Sequence, residues 1–170
     1  MRRLRETRAY QISQMPTKVG VEIAIIGRSN VGKSSLVNTI LGYKVAQVSQ
    51  KPGCTLWIGI HQFKQLTIID LPGYGYARAN ESRREAVSGL VEDYFRLNRT
   101  DMLYLLVDLR RGLQEIDTNV IEILSKYAIP IKLIGTKSDK KYTKPEGMDF
   151  CCSTKTKDGI TEILNDLNSY

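Results

Sequence analysis

The amino-acid sequence predicts an α/β fold built on a mostly parallel sheet. Three observations lead there. Strand-like apolar runs alternate with stretches of helical periodicity. Several of those runs are almost continuously apolar, as strands buried on both faces are. And 170 residues, 42% hydrophobic and 25% charged, suit one domain with a packed core. No repeat, low-complexity segment or internal linker divides the chain.

The elements follow in order. Residues 1–20 form a basic N-terminal extension, and residues 21–170 a single domain. Met1 to Arg8 is basic, with no apolar signal region after it, and Glu6 argues against an organellar leader, so a solvated tail is expected. "VEIAIIG", 21–27, is the first buried strand. A helix over Lys33 to Leu41 carries Leu36, Val37, Ile40 and Leu41 on one side, with Gly42 as its stop. "LWIGIHQF" and "QLTIID" are joined so tightly that they should pair antiparallel. His61, in the first of these, is expected to be half-exposed. Asn80 to Asn98 repeats Val87, Leu90, Val91, Tyr94 and Phe95 at helical spacing. "MLYLLVD", 102–108, is a further strand. Ile116, Val120, Ile123, Leu124 and Tyr127 mark the next helix. "IKLIGT", 131–136, and the short "FCCS", 150–153, are strands, and residues 159–168 a last helix.

Bulk chemistry narrows the function. No apolar run approaches the roughly 20 residues of a membrane-spanning helix. Three cysteines, Cys54, Cys151 and Cys152, make neither a disulfide framework nor a zinc site, and suit a reducing compartment. The single histidine excludes most histidine-based metal or triad chemistry. A net charge of +7 favours anionic partners, nucleotide or nucleic acid.

The motifs name the nucleotide. Gly27-Arg28-Ser29-Asn30-Val31-Gly32-Lys33-Ser34 fits G-x-x-x-x-G-K-[ST] after a strand and before a helix. Glycines let successive N–H groups turn toward phosphate oxygens, and the helix N-terminus adds favourable partial charge. Lys33 reaches β- and γ-phosphates, and the Ser34 hydroxyl suits Mg²⁺. "DLPG" ends a buried strand: Asp70 can hold the Mg²⁺ shell and the Gly73 N–H can sense a γ-phosphate. "TKSD" ends another strand: Asp139 can accept from guanine N1–H and N2–H₂, a donor pair that adenine lacks, while the Lys137 stem lies over the base. Thr55, in "KPGCT", can join the Mg²⁺ shell when a γ-phosphate is present, which would make its loop a switch. "CSTK", 152–155, can offer N–H groups near Ser153 and Thr154 to guanine O6.

The candidate binding set is therefore Gly27, Arg28, Ser29, Asn30, Val31, Gly32, Lys33, Ser34 and Ser35, then Gly53 and Thr55, Asp70 and Gly73, Thr136, Lys137 and Asp139, and Ser153, Thr154 and Lys155. The metal ligands are Ser34, Thr55 and Asp70. The residues nearest the chemistry are Lys33, Asn30 and Gly73. The cofactors are GTP/GDP and Mg²⁺. An ATP-using P-loop kinase is disfavoured by "TKSD" and "DLPG", and by the lack of a lid segment.

"GRSNVGKSSLVN", "KPGCT", "DLPGYGYA" and "TKSD" together resemble the EngB family of ribosome-biogenesis GTP-binding proteins, within the TrmE-Era-EngA-EngB-septin-like P-loop GTPases. "DLPGYGYA" carries most weight, because few GTPases have Tyr74-Gly75-Tyr76 there. The resemblance spans about residues 20 to 165. It implies a three-layer Ras-like G domain with a six-stranded, mostly parallel sheet and one antiparallel edge strand. It also implies a role in assembling the large ribosomal subunit, with rRNA or ribosomal protein as partner, for a monomer in the bacterial cytoplasm rather than an organelle stroma or matrix. No membrane partner is implied. The chain departs from the family pattern in the short stretch 140–149, where relatives carry a helix. Thr136 stands where most GTPases have Asn.

Tyr74 occupies the position where Ras-type proteins carry a water-orienting Gln, so intrinsic hydrolysis should be slow. Two routes to faster hydrolysis stay open. One is K⁺ held by Asn30 against the phosphates; the other is activation in trans by the ribosome. Arg78, Arg83 and Arg84 follow the switch and are expected on a solvated helix face. A GTP/GDP switch with a protein partner and little turnover is the alternative function.

Overall fold

The computed structural model describes residues 5–42, 44, 57–75, 80–142 and 146–170. Its strands are β1 (Arg5–Ala9), β2 (Val21–Gly27), β3 (Ile58–Phe63), β4 (Leu66–Asp70), β5 (Met102–Asp108), β6 (Ile131–Thr136) and β7 (Phe150–Cys152). Its helices are α1 (Lys33–Leu41), α2 (Glu81–Arg96), α3 (Glu115–Ser125) and α4 (Ile160–Asn168), with a 3-10 turn at Ile12–Gln14. The order across the sheet is β1-β3-β4-β2-β5-β6-β7. β2, β4, β5, β6 and β7 run parallel, whereas β3 pairs antiparallel with both β4 and β1.

Period-two alternation divides the core into two layers. Ile23, Ile25, Tyr104 and Leu106 face Leu36 and Val37 of α1 and Ile163 and Leu167 of α4. Ala24, Ile26, Leu103 and Leu105 face Tyr94 and Phe95 of α2 and Leu124 of α3. Both faces of the central strands are covered, hence the almost unbroken apolar runs. α2 begins where Arg83 N–H donates to the Asn80 side chain at 3.0 Å. α1 stops at Gly42, which sits at φ 78° and closes on the Asn38 carbonyl.

The N-terminus corrects the expectation of a solvated tail. Arg5–Ala9 adds a seventh strand, in register from Arg5 opposite Gln62 to Ala9 opposite Ile58. Ala9 is fully buried, and the Arg8 guanidinium lies 4.8 Å from the Trp57 ring centroid. An extra strand satisfies a row of β3 backbone groups that an edge would leave open. The expected antiparallel edge strand is therefore internal, and His61 on it is 2% exposed rather than half-exposed. The expected helix through Ile116, Val120, Ile123 and Leu124 is α3, with Ile116 and Ile123 exposed on it. Among the described residues of 140–149 there is no helix, as the short spacing implies. No helix of the described residues is long and apolar enough to cross a membrane.

Candidate functional site

The C-terminal ends of β2, β4, β5, β6 and β7 open onto one edge of the sheet, where ligands of open α/β folds bind. β2 ends in the phosphate loop. A Cβ on Gly27 would lie 2.9 Å from Val31 Cγ1 and 3.0 Å from Leu106 Cβ, so only glycine fits there. Gly32 caps α1 at φ 105°, a conformation that side chains oppose. Val31 N–H donates to the Arg28 carbonyl at 3.1 Å and closes the turn. Lys33, Ser34 and Ser35 then form the first turn of α1, whose N–H groups and dipole point out of the loop.

Lys33 is 8% exposed and Asp70, at the end of β4, 6%. The two are ion-paired. Opposite charges so enclosed suit a phosphate together with a divalent cation: an anion for the ammonium, a metal for the carboxylate. Ser34 stands one residue along from Lys33. Thr55 and Gly53, the remaining pieces of the expected set, lie outside the described residues, as does Cys54.

Gly73 and Tyr74 follow Asp70 and are stitched to the phosphate loop. Tyr74 N–H donates to the Gly27 carbonyl at 3.1 Å, and Ser29 N–H donates to the Tyr74 carbonyl at 2.8 Å. The Tyr74 phenol turns the other way. It donates to Asp117 Oδ1 at 2.7 Å, and burial followed by that bond raises its pKa far above the usual tyrosine value. Asp117 Oδ2 in turn accepts from Gln114 N–H at 2.9 Å and closes the start of α3.

The loop after β6 is fastened to the phosphate loop. Thr136 Oγ1 donates to the Val31 carbonyl at 2.7 Å and lies 3.2 Å from that of Val107. Thr136 is buried and ties the loop after β6 to the phosphate loop. Lys137 Nζ donates to the Asn30 carbonyl at 2.7 Å and to Asp108 Oδ2 at 2.8 Å. Asp139 Oδ1 accepts from Ser153 Oγ at 2.8 Å, and this bond holds its carboxyl below the usual carboxylate range. The "CSTK" expectation narrows. Ser153 N–H is spent on the Asp158 carbonyl at 3.0 Å, and the Lys155 and Thr156 N–H groups on Ser153 Oγ at 3.2 Å. Among the described residues of this stretch, the Thr154 N–H has no hydrogen-bond partner.

Three polar side chains beside these loops carry no role in the sequence reading. Asp108 ends β5 as Asp70 ends β4, and that acid at a strand end was the available signal. Its burial opposes ionisation, yet hydrogen bonds from Arg110 and Lys137 outweigh it and leave the carboxyl well below its ordinary range. Asp117 had only its place near a helix start to mark it. His61 had no signal at all. Among the described residues, neither of its buried ring nitrogens has a hydrogen-bond partner, and burial lowers its pKa from 6.5 against the opposing pull of Asp70.

Comparison with known proteins matches this arrangement. A family of GTPases described as 50S ribosome-binding matches residues 22–137. The chain is 40% identical over 148 residues to a probable GTP-binding protein EngB of Leuconostoc mesenteroides, covering 82% of this chain and 76% of that one. It is 37% identical over 176 residues to the Petrotoga mobilis counterpart, covering 91% and 88%. Among solved structures, a probable GTP-binding protein EngB matches with a TM-score of 0.73 at 26% identity, covering 88% of this chain and 97% of that chain. Era of Aquifex aeolicus, 21% identical with a TM-score of 0.71, covers 91% and 57% and shares the fold. With the phosphate loop, the Asp70 end of β4 and the Asp139 loop at one sheet edge, and with these relatives, the chain belongs to the EngB family of GTP-binding GTPases.

Proposed function

We propose that this GTPase is a nucleotide-gated factor in assembly of the large ribosomal subunit, working in the bacterial cytoplasm with slow, Mg²⁺-dependent hydrolysis. The observation that carries the guanine choice is the Asp139 carboxylate held by Ser153 Oγ in the loop after β6, whose Lys137 donates to the phosphate-loop carbonyl of Asn30. The ribosomal part is supported by the description of the matching family and by the net charge of +7, which suits an rRNA surface.

Catalysis in such a site is positioning plus charge stabilisation. Lys33 and the loop N–H groups would hold the β- and γ-phosphates. Ser34 and Asp70, with Thr55, would hold Mg²⁺, which neutralises charge on those phosphate oxygens. The Gly73 N–H would meet the γ-phosphate. Tyr74 offers no water-orienting amide, and its phenol is committed to Asp117, so slow turnover is expected. Asn30, exposed at φ 64°, is the proposed K⁺ ligand. Hydrolysis rates in K⁺ and Na⁺ at equal ionic strength check this, and equal rates remove Asn30 from the chemistry.

The experiment for the main reading is co-pelleting with large ribosomal subunits in GDP, in a non-hydrolysable GTP analogue and without nucleotide, across a salt series. Binding that favours the analogue and weakens with salt is the expected result. No pelleting in any state, with GDP still displacing a fluorescent guanine nucleotide and ADP not, would turn the reading to a switch acting on a protein partner.

A further inference from the structure

The α2–α3 side of the sheet carries a groove that reaches the nucleotide site only at one end, through Arg28 and Gly73. The groove is open, about 730 Å³ in volume, and runs between the two helices. Its floor is apolar, with Val91 and Phe95 from α2 and Val120 from α3. Ile123, 52% exposed, stands on its rim, and Ile116 at its switch end is also exposed. An apolar groove lined in this way is a liability in water unless something covers it.

Charge says what covers it. Arg28 and Arg84 line the groove at its switch end, and neither makes an ion pair among the described residues. The acid in the lining, Glu92, is already paired with Arg96 at 2.7 Å. Two unpaired guanidiniums at the end of an apolar trough call for an apolar ligand with carboxylates at that end. Length fits as well. Ile116 to Ile123 spans about 10 Å along α3, the separation of side chains at i and i+7 on a facing helix.

One wall of the groove is Gly73-Tyr74-Gly75. The backbone of Tyr74 is bonded to the phosphate loop and its phenol to Asp117 at the start of α3. Whatever moves Gly73 toward a γ-phosphate must load this three-point hold, and so reshape the groove.

We propose that the α2–α3 groove docks an amphipathic helix of a protein partner. The helix carries acidic residues at the end facing Arg28 and Arg84, and its binding is coupled to the nucleotide through Tyr74. The coupling, though not the groove itself, rests on the GTP-binding reading. By linkage, such a helix changes nucleotide affinity by the same factor by which nucleotide changes its own.

The probe is a fluorescein-labelled 16-residue helical peptide with leucines at i, i+4 and i+7 and two glutamates in its first turn, beside a twin with two lysines there. Anisotropy is followed with the full chain in GDP and in a GTP analogue. The expected result is saturable binding of the glutamate peptide, about tenfold tighter than the lysine twin, which is about 1.4 kcal/mol. Ile123→Glu, on an exposed position, should weaken it at least about tenfold, and Arg84→Glu should reverse the preference between twins. Tyr74→Phe should leave the peptide bound but erase the difference between nucleotide states. Equal binding of both peptides, no saturation, or indifference to Ile123→Glu would overturn the groove. A dimer at micromolar concentration that Ile123→Glu dissolves would name a second copy as the occupant and also overturn it. Binding that never depends on nucleotide, in protein that still binds a fluorescent GDP analogue normally, would overturn the coupling alone.

Discussion

The two ends of the sheet handle buried charge in opposite ways. At the N-terminal end of β2, Glu22 is fully buried and fully served. Arg99 bonds both its oxygens at 2.6 to 2.9 Å, and the Tyr94 hydroxyl donates to it at 2.7 Å while accepting from Thr100. Even its N–H has a partner, Asp101 Oδ2 at 2.7 Å. At the C-terminal end of β4, three enclosed groups, Lys33, Asp70 and His61, are served far less completely. Lys33 and Asp70 have each other, and His61 has no hydrogen-bond partner among the described residues. A complete network fixes one conformation, whereas an incomplete one keeps binding capacity for a ligand. The lower end is built for folding and the upper end for nucleotide.

Substitutions should separate the two ends. Arg99→Ala leaves Glu22 buried and unpaired, and should cost about 3–5 kcal/mol in urea unfolding, with GDP affinity of the remaining folded protein unchanged. A parallel loss of GDP affinity would break the comparison. Asp139→Ala should do the reverse, weakening GDP roughly 100-fold, about 2.7 kcal/mol, while leaving the melting temperature without nucleotide almost unmoved. Thr136→Val removes a hydroxyl that bonds the Val31 carbonyl, and should cost about 1–2 kcal/mol in stability and also weaken GDP. It is the bridge between the two behaviours.

The smallest effect belongs to His61. Its folded pKa lies below 6.5, so the unfolded chain takes up the proton first as pH falls. Its contribution to stability is therefore intact well above 6.5 and declines as pH drops through that value, by less than about 1.4 kcal/mol per pH unit. His61→Phe should flatten the unfolding free energy between pH 7.5 and 5.5. An unchanged slope would mean that some other group carries the acid sensitivity.

Much of this was legible from residue pattern. Strands buried on both faces declare themselves as apolar runs, and phosphate and base loops must place particular residues at strand ends. Arg5–Ala9 was not legible because "RETRA" has no apolar alternation. It is a strand because β3 offers an open edge, and that is a tertiary fact. The His61 error follows from the same missing strand. The bond from Thr136 to the Val31 carbonyl was not legible either, since a motif tells which residues gather but not what each hydroxyl bonds. The Tyr74–Asp117 bond joins positions 43 residues apart, with no local pattern to announce it.

The fastening of Thr136 and Lys137 to the carbonyls of Val31 and Asn30 has a consequence for how small ligands should behave. Two segments more than a hundred positions apart in the chain move as one piece, so order imposed by a ligand half at either end is already present at the other. Guanosine and pyrophosphate, offered as separate molecules, should each bind more tightly in the presence of the other. Cutting the fastening should make them strangers, and the intact nucleotide should then lose more than either half does alone.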